Sequence, residues 1–472
     1  MINYILIIGD RMKKGFTLIE MLGIITVMAI LLLITFPNMS KSLKEMKENE
    51  KNNFTNNLKV SAETYVELNR NKYTELYKPY GKVYVKIQDL YDANLMNGQY
   101  DNISMNDTIT VFSTSNLELK YYFNNQQIGY GVDPNDNSLD ICDNVTTFCI
   151  TSRSDLEQLA TQVNNGDNKS GKTYILTQNI DLGGIFDENG NPQTGNNPWT
   201  PIGSESKPFS GTFEGAGHII TGMYIDSTTQ YTGLFSYING GTIKNLGIEN
   251  SYVKSTQQST GCIVGTAVNN SEILNSYNTG KVSGKKPSAG IVSGIQNSIV
   301  KNCYNTGTIN SNGEQFAAGI AGYVSNTNSV VENCYNVGTI NGSLQPGGII
   351  GGIQGQALNN YNLGTVNSTK EGGGIAGQVY NSPTLIGNYN IGTTNGGIAG
   401  TVSGTKTPTI TNNYFLNTSA TYGIKSTSSN VGASPLTIQE MPSVISVING
   451  DNAFVEDTKG INGGYPILKW QQ

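Results

Sequence analysis

The chain has 472 residues, too many for one ordinary core, so two folded domains plus any lipid-embedded segment are expected. Its 56 glycines against 14 prolines, its 26 tyrosines and its low charged fraction of 14% point to a turn-rich, mainly β protein, and Ile, Val and Tyr return too regularly for a disordered tract. A net charge of −6 offers no basic surface to neutralise phosphates, which argues against nucleic acid as a partner of the bulk of the chain.

From Phe16 to Phe36 the chain reads FTLIEMLGIITVMAILLLITF. As a helix these residues span about 31 Å, the thickness of a bilayer core. Lys13 and Lys14 precede the run, so that end stays cytoplasmic and everything after Pro37 is exported. Glu20 sits inside the apolar run, where a charge costs several kcal/mol and needs a partner. The segment Lys13-Lys14-Gly15-Phe16-Thr17-Leu18-Ile19-Glu20, with Pro37 closing the run, resembles the prepilin processing site of type IV pilins and type II secretion pseudopilins.

That resemblance implies cleavage between Gly15 and Phe16 by a prepilin peptidase and methylation of the new Phe16 amine. It also implies pairing of Glu20 with the terminal amine of a neighbouring pilin subunit. Residues 1–15 are then the leader and 16–37 the transmembrane and assembly helix. Residues 1–11 are unusually apolar for a leader, and Met12 is an alternative start.

Apolar residues spaced by three and four from Leu43 through Phe54, Leu58, Ala62, Tyr65 and Leu68 continue one long helix, and VYVKI, ITVF and LKYYF then alternate as strands. Residues 38–150 therefore read as a helix packed on a small antiparallel sheet, which is the α+β head the resemblance implies. Near its end Cys142 and Cys149 flank a short loop and are candidates for an extracellular disulfide. Two acidic loops, 133–144 and 187–191, lack full calcium-loop spacing and read as solvated turns, so no metal and no cofactor are expected.

A second domain is expected over 151–472, with an N-terminal cap at 151–185, coils at 186–420 and a C-terminal cap at 421–472. Ser154-Asp155-Leu156-Glu157 reads as a capping box opening a short helix that Gly166 stops. Glycines 233, 261, 290, 319, 348, 374 and 397 recur at spacings of 28, 29, 29, 29, 26 and 23. A Tyr-Asn pair runs in phase with them, at 277, 304, 335, 361 and 389. No unit buries its own apolar face, so the units are expected to stack as a right-handed parallel β-solenoid with Ile and Val inside. The Asn after each Tyr is expected on an outer or turn ladder. Cys303 and Cys334, at one phase with Ser276, Asn360 and Asn388, are expected to stack as reduced thiols. The segments at 199–248 and INGGYPILKW at 461–470 resemble GLUG-type repeat proteins of bacterial surfaces.

The one histidine, His218, lies in a structural segment. Between 251 and 420 the acids Glu272, Glu314, Glu332 and Glu371 fall at different phases, so a glycan-active site would have to draw on the earlier coils, with Asp226, Glu214 or Glu249. The expectation is a non-enzymatic, minor type IV pilin-like subunit. It would be membrane-bound before assembly and then at the cell surface, presenting the solenoid to a glycan or host surface protein. The alternatives are a pseudopilin-like part of a secretion or DNA-uptake apparatus and a surface-anchored β-helix enzyme.

Overall fold

The computed structural model describes residues 53–77, 81–97, 103–113, 117–123, 126–128, 146–311, 315–448 and 452–472. The processing motif, the apolar run and Cys142 lie outside them. Among the described residues no helix is long and apolar enough to cross a membrane. The chain divides into two units near residue 140.

In the first unit, helix α1 covers residues 53–68. It buries Leu58, Ala62 and Val66 on one face, a spacing of four. Leu68, expected on that face, is exposed, because two residues beyond the buried Val66 it points to the opposite side of α1. A four-stranded antiparallel meander follows in the order β1 (Lys82–Lys86), β2 (Thr108–Ser113), β3 (Leu119–Phe123) and β4 (Gln126–Gln127), with the short helix α2 (Ile87–Asp92) between β1 and β2. Val85, Ile109, Val111 and Tyr121 join the α1 residues in one core, and Phe54 meets Phe123 edge-on at 6.4 Å.

The second unit is a parallel β-solenoid of about ten turns, and its ladders are parallel from end to end. A full coil passes through four faces, and the terminal coils lack some of them. Face I has ten strands, from Thr147–Ile150 to Thr409–Thr411, and face II has ten, from Ile180–Asp181 to Ala433–Leu436. Face III has six, from Tyr224–Ser227 to Val366–Ser368, and face IV has eight, from Phe235–Asn239 to Tyr422–Ile424. A three-stranded ribbon, Gln258–Gly261, Lys286–Ala289 and Ala317–Ala318, lies between faces III and IV in the chain. The ladder thus begins at Thr147, before the expected boundary at 151, and its last face II strand runs past 421.

Helix α3 (Arg153–Asn164) lies between the first two face I strands and buries Leu156, Leu159, Ala160 and Val163. Its N-cap is Ser152, whose hydroxyl accepts from the Asp155 amide at 3.2 Å, rather than Ser154. The Asp155 carboxylate turns back to accept from the Thr151 amide at 2.8 Å, so the cap is built two residues earlier than the pattern indicated. Gly166, with φ +109°, stops the helix as expected.

Inside the solenoid, one residue from each face I strand forms an apolar stack that includes Phe213, Ile243, Ile273, Val300, Val331, Ala357 and Leu385. Sharp corners between faces I and II are made by left-handed Asn245, Asn275, Asn302, Asn333, Asn359 and Asn412, with Gly387 taking the same place in one coil.

The Asn of each Tyr-Asn pair points inward, which corrects the outer or turn ladder expected from the pattern. Asn278, Asn305, Asn336, Asn362 and Asn390 are fully buried. Each Nδ2 donates to the Oδ1 of the next at 2.8 Å as far as Asn390. Each also donates to the carbonyl of the glycine two residues on, as Asn336 does to Gly338 at 2.9 Å. Ile248 precedes this column in register and Phe415 follows it, so an amide ladder is inserted in an otherwise apolar stack. The two repeat markers keep phase because they touch: a Cβ on Gly290, Gly319, Gly348 or Gly374 would lie within 2.6 Å of the Asn of the same coil. An outer amide ladder does exist, on face III, where Asn367 donates to Asn341 and Asn341 to Asn310, both at 2.8 Å.

Cys303 and Cys334 are buried, free and stacked, with the Cys303 amide donating to the Cys334 sulfur at 3.4 Å. The same column continues through Asn360 and Asn388, whose Oδ1 atoms accept the amides of Cys334 and Asn360 at 2.9 Å. Burial pushes the third free thiol, Cys262, up to about 12.

The tyrosines lie on the outside of face II as a continuous stack. Tyr277, Tyr304, Tyr335, Tyr361 and Tyr389 follow one another at 4.7, 4.9, 5.0 and 5.0 Å, with rings within 8° of parallel. The C-terminal segment folds back over the later members. Phe454 and Leu468, paired in a short antiparallel hairpin, cover Tyr361 and Tyr389 together with Met441 and Val444. Trp470 stacks near Tyr335 at 5.8 Å and donates to the Asn333 carbonyl at 2.9 Å.

Candidate binding groove

The outer side of face IV carries a mixed aromatic and polar concavity, a groove of about 600 Å³. Its floor is one column of residues in register on successive coils: Tyr237, Thr266, Gly294, Tyr323, Gly352 and Gln378. Five steps of about 4.8 Å make that column about 24 Å long. A neighbouring column adds Val268, Gln296, Ser325 and Tyr380. The wall comes from Ser259 and Pro287 on the ribbon strands and from Tyr231 and Phe316 beside them.

Aromatic rings gather in two clusters, one at the first coil of the column and one at its fourth. Tyr231 meets Tyr237 edge-on at 5.2 Å, and Phe316 meets Tyr323 at 5.4 Å with a 34° tilt. The Tyr323 hydroxyl accepts from Gln354 Nε2 at 2.9 Å, which holds its ring. Burial, reinforced by the Glu205 carboxylate, raises both Tyr231 and Tyr237 above the ordinary phenol range, so both are neutral hydroxyls. Between the two aromatic clusters stand Gln258 and Gln296, both exposed, and the Thr266 hydroxyl. Glu205 and Lys286 are the charged residues of the lining, one of each sign.

Two backbone features shape the groove. Phe316 has φ +62°, a conformation that bulky side chains rarely adopt, and it leans its ring over Gly352. A Cβ at Gly352 would meet the rings of Phe316 and Tyr323 at 2.8 and 2.9 Å. At Gly294 a Cβ would meet only the Thr266 side chain, at 3.3 Å. The floor is therefore open at Gly294 although the fold does not require a glycine there.

The residues singled out from the sequence do not form this groove. Glu214 is buried on face I, where it accepts from Asn245 at 2.9 Å and pairs with Lys244 at 3.3 Å. Asp226 pairs with Lys254 at 3.1 Å on face III, and Glu249 accepts the Tyr277 hydroxyl at 2.6 Å on face II. Three acids on three faces are not brought together, and among the described residues no group of three His, Cys, Asp or Glu side chains forms a metal-binding cluster. His218 is buried beside a tight turn, its amide donating to the Gly215 carbonyl at 2.8 Å. The 187–191 loop is self-satisfied, since Asp187 Oδ1 accepts from the amides of Asn189 and Asn191 at 2.9 and 2.7 Å. Cys149 is disulfide-bonded. Gly15, Phe16, Glu20, Pro37, Lys13, Lys14 and Cys142 lie outside the described residues.

Sequence reasoning missed the groove because its residues come from six coils and share no motif. The signal it offered was the recurrence of Tyr, Gln and Thr four residues after the marker glycine, as at Tyr237, Tyr323 and Gln378.

Residues 10–36 match the family described as the Prokaryotic N-terminal methylation motif, the signature of a type IV pilin-like N-terminus. A stretch of 145 residues is 27% identical to halomucin of Haloquadratum walsbyi, covering 30% of this chain and 2% of that protein. A stretch of 119 residues is 33% identical to a protein described as a Gly-rich membrane protein of Evansella cellulosilytica, covering 24% of this chain and 13% of that one. The chain thus spans a small fraction of either relative. Among solved structures, a candidate immunoglobulin A1 protease from Bacteroides ovatus superposes with a TM-score of 0.42 at 19% identity, over 69% of this chain and 93% of that one. A second structure, described as IgA1 protease, gives 0.37 at 14% identity over 68% and 27%. Likenesses of that size carry no argument about activity.

Proposed function

We propose that this chain is a minor type IV pilin-like surface subunit that displays its solenoid as a binding domain. The observation that carries the reading is the methylation motif at residues 10–36. On this reading a prepilin peptidase cuts between Gly15 and Phe16 and the Phe16 amine is methylated. Helix 16–37 holds the subunit in the membrane and then in a filament, and Glu20 compensates the terminal amine of a neighbour. Residues 38–150 form the pilin-like head, closed near its end by a Cys142–Cys149 bond, and a right-handed solenoid follows. The packing of α1 on an antiparallel meander supports the head, and the bonded state of Cys149 supports an exported location.

A solenoid of more than 300 residues on every subunit would crowd a helical shaft, whereas a tip or sparse position tolerates it. Its partner is a glycan or a host surface protein. The test is mass spectrometry of the mature N-terminus from the native host, with and without its prepilin peptidase. Methyl-Phe16 that disappears without the peptidase is the expected result, and an uncut terminus would leave only a signal-anchored solenoid. Filaments confined to the envelope would move the subunit to a secretion or DNA-uptake apparatus.

A further inference from the structure

Resting on the reading of the solenoid as a binding domain, we infer that the face IV groove binds a neutral oligosaccharide, laid along the solenoid axis with its sugar rings against Tyr237 and Tyr323.

The chemistry of the lining selects this class of ligand. A pyranose ring offers C–H bonds on its faces and hydroxyls around its rim. The C–H faces suit the electron-rich faces of Tyr237 and Tyr323. The rim suits side chains that donate and accept at once, which the amides of Gln258 and Gln296 and the Thr266 hydroxyl do. One acid and one base in the lining give no field for a polyanion or a polycation. The column of about 24 Å matches a chain of several sugars, since the coil spacing is close to the length of one ring.

An extended peptide fits less well. Face IV is an eight-stranded sheet whose middle strands have neighbours on both sides, so the floor has no free strand edge to which a peptide could add. An amphipathic helix needs a continuous apolar trough, and polar residues interrupt this floor between its aromatic clusters.

The glycines point the same way. At Gly261, Gly348 and Gly374 an added Cβ would strike backbone atoms at 2.0 to 2.3 Å, so the coil itself demands glycine. Gly294 is different: the contact would be a mild one with Thr266, yet the position carries no side chain and leaves a slot between Thr266 and Tyr323. Beside that slot Phe316 is held at a left-handed φ, the kind of local strain that gathers at ligand clamps.

The experiment uses the full chain in detergent micelles, titrated calorimetrically with cello-, manno- and chito-hexasaccharides, with oligogalacturonate and a random decapeptide pool as contrasts. At least one neutral hexasaccharide is expected to bind. Gly294→Trp, which fills the slot, and Tyr323→Ala are each expected to weaken it at least tenfold, and Tyr277→Ala on face II to leave it unchanged. Far-UV circular dichroism of each variant reports folding. Should Gly294→Trp fail to fold, Gln296→Ala, at an exposed side chain, decides through a loss of threefold or more. Binding of none of the neutral sugars, binding of the acidic sugar or peptides alone, or equal binding by the folded groove variants would overturn the inference. The methylation state of Phe16 on the same sample separates the two readings: sugar binding by an unprocessed chain leaves the groove standing, and a methylated chain that binds no sugar leaves the pilin reading standing.

Discussion

The inner side of face II and the outer side of face IV are built on the same repeat and treat the same residue types in opposite ways. On face II, Asn336 is fully buried, with both amide protons donated and its Oδ1 accepting from Asn305. On face IV, Gln296 stands exposed in the groove. Gly348 is boxed in by Asn362 and the Gly374 carbonyl, whereas Gly294 faces open space apart from Thr266. The difference teaches that regularity in a solenoid has two origins. Inside, a repeated residue is demanded by its neighbour one coil away. Outside, the fold leaves the choice free, and a run of aromatic, amide and glycine positions reflects whatever the surface meets.

The sharpest way to break this comparison is to place a side chain at each glycine. Gly348→Val is expected to cost about 4 kcal/mol or more, or to prevent folding, because backbone rather than a flexible side chain is in the way. Urea unfolding followed by circular dichroism measures it. Asn336→Leu comes next. It leaves the Asn305 amide and the Asn362 oxygen without their ladder partners inside the core, at an expected loss of about 3 kcal/mol. An unchanged midpoint would mean that the column is not held by its amides.

A smaller effect is expected in the cap over the tyrosine stack. Asp457 is half-buried; burial opposes ionisation, but amides of Asn462, Gly464 and Ile461 outweigh it and hold its carboxyl below the ordinary 3.8. A depressed folded value means that its contribution is fully present above pH 3.8 and is lost as the pH falls through the lower folded value. Asp457→Asn should therefore loosen the cap at neutral pH, read as a change in Trp470 emission, and the gap from the unmodified chain should close on acidification. A gap that widens in acid would show that the loop is held otherwise. Smallest of all, Gly294→Ala should change stability by no more than about 0.5 kcal/mol in the same unfolding assay. A loss as large as that at Gly348 would erase the distinction between the two faces.

Much of the architecture is legible in the sequence because stacking makes each coil repeat its neighbour's requirements. The marker glycines, the Tyr-Asn phase, the inner Ile and Val and the small buried column holding Cys303 and Cys334 can all be read from spacing alone. The direction of the asparagines cannot. A Tyr-Asn strand is only two residues long, too short for alternation to say which side faces in, and a polar amide defaults to the outside until a partner one coil away satisfies it.

What the sequence determined by itself is local and periodic: a methylation motif at residues 10–36 whose apolar run contains an acid, and a repeat that has to stack. What tertiary structure alone decided depends on register between residues far apart in the chain. Tyr237 and Tyr323 share one floor only because the intervening coils pair in a fixed register. Trp470 reaches the Asn333 carbonyl across 137 residues because the last segment finds apolar rings to cover. Neither arrangement leaves a local pattern, since burial and adjacency are properties of the stack rather than of any one coil.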